Sequence, residues 1–159
     1  MLATDRLLIR RLTEDDAPFI LGHVNEPTFI DNIRDSGVRT LDDARQYLRE
    51  GAILSYQKHG FGLYLVLIEE SSQPIGMCGL LQRPDLPAPD IGFALDPPFW
   101  GKGYALEAAR AVMNYGFQSL GMTEILAITS PGNERSAQLL QRLEMEDRGL
   151  AERDNGTVR

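Results

Sequence analysis

The chain contains few of the residues that cross-link a fold or bind metals. Among its 159 residues it has a single cysteine, Cys78, and two histidines, His23 and His59. One thiol cannot form an internal disulfide, and so few thiols and imidazoles predict no His/Cys zinc cluster and no metal site. Cys78 lies in an apolar stretch with no histidine nearby in sequence, which favours a buried thiol over a nucleophile. Both histidines are predicted to be surface residues rather than bases.

The sequence also lacks long apolar runs and an excess of positive charge. No run approaches the roughly 20 apolar residues of a membrane helix, and the N-terminus lacks the pattern of a signal peptide. These features predict a cytoplasmic protein with no membrane partner. The net charge of −7 argues against a nucleic-acid partner, because proteins that bind nucleic acids generally present a basic surface. It is compatible with a cationic partner such as an amine or a basic peptide, but a net charge of this size is also simply common among soluble proteins, which is the favoured interpretation.

Length and composition predict one domain, residues 1–159, with a core of its own. In chain order the patterns predict a strand at 6–12, a helix that begins at Thr13, a short helix at 27–36, a helix from Thr40 to about Lys58, strands at 63–68 and 74–82, a strand and helix between 90 and 120, a strand at 123–129 and a helix at 134–143. Strands and helices in this order predict an α+β fold.

The most informative stretch lies between residues 90 and 120. Apolar residues alternate over 90–95 as in a strand, and Pro97 and Pro98 end it. Gly101-Lys102-Gly103 then opens a helix with one apolar face. The first N–H groups of a helix have no partner within it, and glycines let an anion approach them. This predicts an anion site at the helix start, although a flexible turn fits the two glycines equally well.

Two phosphate-binding templates fail at this loop. The chain contains no Gly-x-x-x-x-Gly-Lys-[Ser/Thr] run, and the third glycine of a dinucleotide fingerprint would fall at Leu106. Instead, Pro-Phe-Trp-Gly-Lys-Gly-Tyr-Ala-Leu-Glu-Ala (98–108) resembles the acyl-CoA pyrophosphate loop of the GNAT superfamily of N-acetyltransferases. The opening segment 4–17 and the segment 133–143 extend the likeness over nearly the whole chain. Within the superfamily, the chain is similar to the branch that includes ribosomal-protein N-terminal acetyltransferases.

The resemblance implies a mixed, mostly antiparallel central sheet flanked by helices. The fourth and fifth strands of that fold splay apart, and acetyl-CoA, the co-substrate, lies in the gap; here they would be 90–95 and 124–129. The pantetheine arm would pair with the backbone of Phe93, Ala94 and Leu95, and Gly92 would permit a bulge or a close approach. An ordinary half-buried strand is the alternative.

By the same resemblance, the pyrophosphate would lie on the N–H groups of the glycine loop. The residues concerned are Trp100, Gly101, Lys102, Gly103, Tyr104 and Ala105. Three residues before the first glycine, where the family usually has Gln or Arg, this chain has Pro98. That difference removes one side-chain contact and leaves the backbone donors in place.

The resemblance also implies a direct attack of an amine on the thioester in a ternary complex. Asp90 is the candidate base, with a solvated loop carboxylate as the alternative. Asn133 would contact the pantetheine or the reaction centre, and is also a good N-cap. Ser136 could donate to the leaving sulfur, or serve only as a capping-turn serine; Tyr104 is a weaker alternative. The tyrosine acid of many relatives is replaced by Leu140.

The acceptor would be a protein N-terminus or a small amine, bound between loops 25–40 and 83–89. Without a working acid and base, the chain would instead be an acyl-CoA-binding sensor; a domain for another nucleotide is a third interpretation.

The C-terminus predicts a strand at 146–151, a hairpin turn at 153–157 and a last strand that is missing or very short. A missing strand would leave an open edge, which invites dimerisation or instability, so both a monomer and a homodimer are compatible with the sequence. Glu144 stands where relatives have a helix-capping glycine, which predicts a poorly capped helix end.

Overall fold

The computed structural model describes residues 2–129, 132–147, 151–153 and 156–158. Its main sheet has five strands in the order β1 to β5, and every neighbouring pair is antiparallel. The strands are β1 (Leu2–Ala3), β2 (Leu7–Arg11), β3 (Leu63–Ile68), β4 (Gln73–Leu81) and β5 (Asp90–Leu95). The strands predicted at 6–12, 63–68, 74–82 and 90–95 are therefore confirmed to within two residues.

Helices cover both faces of this sheet. They are α1 (Ala17–His23), α2 (Pro27–Asn32), α3 (Leu41–Leu48), α4 (Leu54–His59), α5 (Tyr104–Gln118) and α6 (Glu134–Arg142). The central strand β3 shows the layering. Tyr64 and Val66 pack in the core that includes α5, whereas Leu65 and Leu67 pack in the core that includes α1 and α3. A strand that is apolar on both faces is buried on both, and the predicted α+β class is confirmed.

Two predicted helices differ in detail from the structure. The helix begun by Thr40, whose side chain accepts a hydrogen bond from the Asp43 N–H, is interrupted by a π-helical turn at Arg49–Ile53 between α3 and α4. The short helix predicted at 27–36 ends earlier, at Asn32. The residues of its last predicted turn form a loop that leads to Gly37, whose φ is 78°.

The bulge considered at Gly92 does not form. The register of β4 and β5 is continuous, and Gly92 pairs with Gly79. The glycines that allow neighbouring backbone segments to pack closely are instead on β4. A Cβ on Gly76 would lie 2.2 Å from the Ala94 carbonyl oxygen, and one on Gly79 would lie 2.1 Å from the Gly62 carbonyl oxygen. The irregularity in the sheet lies instead between β3 and β4, at Val66 and Leu67.

The predicted strand at 123–129 is not a regular strand. Its only pairing among the described residues is one parallel bridge, between Leu126 and Asp90. Ile91 N–H donates to the Leu126 carbonyl, and Leu126 N–H donates to the Pro89 carbonyl, both at 2.8 Å. Beyond this bridge the ladder does not continue, so β5 and the 123–129 segment splay apart as the resemblance implied.

The helix α6 ends in a left-handed residue. Glu144 has φ 64°, and the N–H groups of Glu144 and Met145 donate to the carbonyls of Gln141 and Leu140. This is the Schellman pattern, in which glycine is the usual residue at the left-handed position. Glu144 therefore occupies a position that favours glycine, but both capping hydrogen bonds form, so the prediction of a poorly capped helix end is wrong as far as hydrogen bonding is concerned.

After α6, strands β6 (Ala151–Arg153) and β7 (Gly156–Val158) pair antiparallel and confirm the predicted hairpin. Asp154 and Asn155 at its tip, and residues 148–150 of the strand predicted at 146–151, lie outside the described residues. No helix in the described part of the chain is long and apolar enough to cross a membrane.

Candidate active site

The splay leaves a cleft of about 1620 Å³ beside β5. Residues of β5 line one side and residues 127–129 with the first turns of α6 line the other, while α2, α3 and α4 close a third side. The predicted rim loops contribute Glu26, Ser36 and Arg83, among others. The cleft gathers every predicted site residue except Lys102, which is exposed and does not line it.

Hydrogen bonds at the two ends of β5 show which backbone groups face the cleft. Ile91 N–H points away from β4, to Leu126, whereas Asp96 N–H donates at 2.9 Å to the Ile75 carbonyl on β4. In an antiparallel pair, the N–H and C=O of one residue point to the same side, and the side alternates along the strand. Odd-numbered residues of β5 therefore direct their backbone groups into the gap.

Of the three residues predicted to pair with pantetheine, two meet this condition. Phe93 and Leu95 face the gap, whereas the backbone groups of Ala94 face β4. The Leu95 carbonyl is already used, because the indole Nε1 of Trp100 donates to it at 2.8 Å. Phe93 N–H, Phe93 C=O and Leu95 N–H are left as the edge groups that a ligand can reach.

The glycine loop ends at a helix start with free donors. Gly101 and Gly103 have φ values of 74° and 81°, in the left-handed region that favours glycine. The first hydrogen bond of α5 runs from Glu107 N–H to Gly103 C=O, so the N–H groups of 104–106 precede the helical ladder. No described side chain caps this end, and the arrangement suits an anion.

Trp100 joins this loop to the opposite wall of the cleft. The guanidinium of Arg135, in the first turn of α6, lies 3.5 Å from the centroid of the Trp100 ring. Sequence reasoning did not identify Arg135, because a stack between residues 35 positions apart has no local signal.

The start of α6 brings Asn133 and Ser136 to the cleft. Asn133 Oδ1 accepts from the Ser136 N–H at 3.3 Å, which confirms the N-cap role. This bond uses the oxygen of the amide and not its Nδ2 donor, so capping and a ligand contact are compatible. Leu140, at the position of the tyrosine of many relatives, also lines the cleft and has no proton to donate.

Asp90 is buried rather than solvated, so the loop-carboxylate alternative is wrong. It is 1% exposed, and Arg83 Nε donates to both of its carboxylate oxygens, at 3.1 and 3.2 Å. The ion pair stabilises a charge that would otherwise be costly to bury. Asp90 also carries the bridge to Leu126, which places its carboxylate where the splay begins.

His23 is also buried, which overturns its prediction as a surface residue; His59 is exposed, as predicted. His23 Nδ1 lies 2.6 Å from Asp96 Oδ1, and the ring packs between Phe19 and Phe29. Its Nε2 is buried without a hydrogen-bond partner among the described residues. The 73 positions between His23 and Asp96 explain why the sequence did not predict the pair.

Cys78 is fully buried on β4, as predicted, and burial raises the pKa of its thiol to about 12. No group of three or more His, Cys, Asp or Glu side chains that could hold a metal is present in the parts of the chain that the structure describes.

Comparison with known proteins agrees with this geometry. A family model described as an acetyltransferase (GNAT) domain matches residues 6–146. The chain belongs to the GNAT family of acetyltransferases. It is 28% identical over 151 residues to the uncharacterized N-acetyltransferase p20 of Bacillus licheniformis, covering 94% of this chain and 84% of p20.

The ribosomal-protein branch is represented among its relatives. The [ribosomal protein uS5]-alanine N-acetyltransferase of Escherichia coli is 27% identical over 157 residues, covering 94% of this chain and 80% of that enzyme. The fold matches that of RimL, a ribosomal L7/L12 α-N-protein acetyltransferase solved in complex with coenzyme A. The TM-score is 0.85 at 18% identity, over 99% of this chain and 93% of that one. The predicted family and fold are thus confirmed.

Proposed function

We propose that this acetyltransferase moves an acetyl group from acetyl-CoA to a primary amine by direct attack in a ternary complex. The observation that carries the proposal is the continuity between the open edge of β5 and the left-handed glycine loop that begins α5. An edge with free amide groups suits the two amides of pantetheine, and a helix start suits a pyrophosphate. RimL, which was solved in complex with coenzyme A, supports the same ligand.

The proposed contacts follow the cleft from one end to the other. Phe93 and Leu95 would pair with the pantetheine arm, and Ala94 would support them through its bonds to β4. The pyrophosphate would lie on the N–H groups of the loop from Gly101 to Ala105; the Trp100 N–H, which was predicted as a further donor, is already used, because it donates to the Pro97 carbonyl at 3.0 Å. Lys102, which is exposed outside the cleft, would contribute through its backbone and its long-range charge.

In the proposed reaction, the amine nitrogen forms a bond to the thioester carbonyl carbon, and the bond from that carbon to sulfur breaks. The amine loses a proton and the thiolate leaves, so the site needs a proton acceptor and benefits from a donor at sulfur. Asp90 is the proposed acceptor, directly or through water. The Arg83 Nε–H is bonded to both carboxylate oxygens of Asp90. The oxygen that takes the proton must therefore give up its hydrogen bond to Arg83. Ser136 would donate to sulfur, and Asn133 would orient the pantetheine.

The acceptor would be a protein N-terminus or a small amine. The uS5-alanine and L7/L12 enzymes among the similar proteins act on ribosomal proteins by name, which supports the first class. Loop residues 25–40 and 83–89 would select between acceptors, since both loops contribute to the cleft.

Binding and thiol release test the proposal together. Acetyl-CoA is titrated calorimetrically, and release of CoA is followed with a thiol reagent against a panel of amines and peptide N-termini. Buried Cys78 adds little background, because its pKa of about 12 keeps it protonated. Binding with no release for any acceptor would favour a sensor module; no binding of any CoA species would refute the proposal.

Variants at Phe93 test the edge specifically. Phe93→Pro removes the N–H that faces the gap, whereas Phe93→Ala removes the same side chain and keeps the N–H. We expect the proline variant to raise the KM for acetyl-CoA by about 2- to 12-fold over the alanine variant, as for one lost hydrogen bond. Equal KM values would show that this edge does not bind the ligand.

Variants at the proposed catalytic groups should separate turnover from binding. Asp90→Asn and Ser136→Ala are expected to lower kcat while the Kd for acetyl-CoA stays near that of the wild type. A variant that keeps full kcat would remove its residue from the mechanism.

A further inference from the structure

Arg6, immediately before β2, contacts the glycine loop and the first turn of α5. Its Nη1 donates to the Lys102 carbonyl at 2.9 Å, and its Nε donates to Glu107 Oε1 at 2.7 Å. Its backbone N–H donates to Glu107 Oε2 at 3.0 Å. The guanidinium also lies 4.4 Å from the centroid of the Tyr104 ring. One side chain thus holds the middle of the loop and the first turn of α5 together.

Glu107 is held from a second direction as well. The Thr4 hydroxyl donates to Glu107 Oε2, and the same Thr4 oxygen accepts the Leu7 N–H at 3.0 Å. Burial would raise the pKa of Glu107, but the hydrogen bonds from Thr4 and Arg6 outweigh it and lower the pKa below its ordinary value. The carboxylate is therefore ionised at neutral pH, as a charge-assisted pair with Arg6 requires.

The bond to Lys102 determines the orientation of one peptide in the loop. In a trans peptide, the N–H points opposite to the C=O. When Arg6 holds the Lys102 carbonyl, the Gly103 N–H is turned away from Arg6. Gly103 lines the cleft, whereas neither Lys102 nor Arg6 does. Arg6 therefore influences the cleft through the backbone of the loop and not by contact with its contents.

We propose that Arg6 and Glu107 form a clamp that presets the glycine loop for the pyrophosphate of the co-substrate, with Arg6 as a positioning residue. The proposal rests on the acetyl-CoA site proposed above. Without the clamp, the loop would have to be ordered when the ligand binds, at a cost in affinity. The hydrogen bonds of the clamp run between Thr4, Arg6, Lys102 and Glu107, all at the pyrophosphate end of the cleft, so we expect the clamp to affect that end alone.

The test uses Arg6→Gln, Glu107→Gln and the double variant in the full chain. We expect each single variant to weaken acetyl-CoA binding by about 10-fold, because ordering roughly one loop residue when the ligand binds costs a free energy of this size. The double variant should be no weaker than the worse single variant, because both changes break the same unit. The matched control is Arg10→Gln, near the other end of β2, which breaks the ion pair of Arg10 with Asp16 and should leave acetyl-CoA affinity unchanged.

Acetyl-pantetheine, which lacks the pyrophosphate, separates positioning from general damage. Its kcat/KM should be the same in the wild type and in all three variants, while kcat/KM for acetyl-CoA falls. A fall with both donors would mean that the clamp only stabilises the fold, and would overturn the proposal.

Two further outcomes would also overturn it. If Arg6→Gln weakened binding and Glu107→Gln did not, Arg6 would be a direct phosphate ligand. If all variants bound acetyl-CoA like the wild type, the clamp would be dispensable and the acetyl-CoA site would stand. Failure of the wild type itself to bind CoA would refute the site and the clamp together.

Discussion

Two glycines at opposite ends of α5 allow the loop geometry to be tested by a matched pair. Gly103 begins the helix with φ 81°, and Gly121 follows its end with φ 69°. Alanine in the left-handed region costs about 1–2 kcal/mol. A Cβ on Gly121 would meet nothing within 4 Å, and one on Gly103 would meet only Arg6 Nη2, at 3.3 Å. Gly103→Ala and Gly121→Ala should therefore lower the free energy of unfolding by similar amounts.

The two variants should differ in their affinity for acetyl-CoA. The alanine at 103 either adds a methyl group beside the loop donors or relaxes φ and turns the N–H groups out of alignment. We expect at least a 10-fold loss of affinity from Gly103→Ala, equivalent to about 1.4 kcal/mol. Gly121 is separated from the loop by a helix of 15 residues, about 22 Å long, so Gly121→Ala should bind like the wild type.

Urea unfolding and calorimetric titration measure the two quantities on the same samples. Equal affinity in the two variants would refute the anion site at the start of α5, whatever their stability. A Gly103→Ala variant with wild-type stability would refute the left-handed geometry itself.

Three further predictions concern stability. Glu144→Gly should raise the free energy of unfolding by about 1 kcal/mol, because glycine adopts a φ of 64° without strain; urea unfolding measures it, with Glu144→Ala gaining nothing. Burial raises the pKa of Tyr56 to about 12, above the value of about 10 in the unfolded chain. Stability should therefore be lost as the pH rises from about 10 to about 12, and Tyr56→Phe should reduce that slope in pH-dependent melts; the remainder comes from Cys78 and from other tyrosines, whose pKa values burial also raises. Gly76→Ala should cost more than about 2 kcal/mol, since its Cβ would lie 2.2 Å from the Ala94 oxygen; Gly22→Ala, with open space around its Cβ, should cost nothing.

The sequence predicted the parts of the site that depend on local chemistry. The helix start after the glycine pair, the helix start at Thr40 and the Asn133 cap are each set by residues within four positions, and the structure contains all three. The left-handed position at Glu144 was also visible in the sequence, through the absence of the expected glycine. Such features are predictable because one or two residues determine the backbone geometry.

The interactions that fold the cleft together were not predictable in this way. Arg6 and Glu107 are 101 positions apart, and nothing in the local pattern of either residue indicates the other. His23 was wrongly predicted to be a surface residue because its Asp96 partner is also remote in sequence, 73 positions away. The segment 123–129 has the composition of a strand, but pairing depends on whether a neighbour lies alongside, and here the neighbour diverges after one bridge.

The splay itself explains why an unpaired strand edge is tolerated in this fold. An exposed edge strand invites pairing with another chain, and β5 has such an edge beyond the Leu126 bridge. Its far end is blocked, because Trp100 occupies the Leu95 carbonyl and is covered by Arg135. The part of the β5 edge that stays open is about two residues long. This length is too short for a second strand to pair with, but it is long enough for an extended ligand that carries two amides. The stack of Arg135 on Trp100 also brings a cation to the glycine loop. Removing the indole donor with Trp100→Phe should therefore weaken acetyl-CoA binding and increase self-association together, and light scattering alongside calorimetry would reveal whether the two effects are coupled.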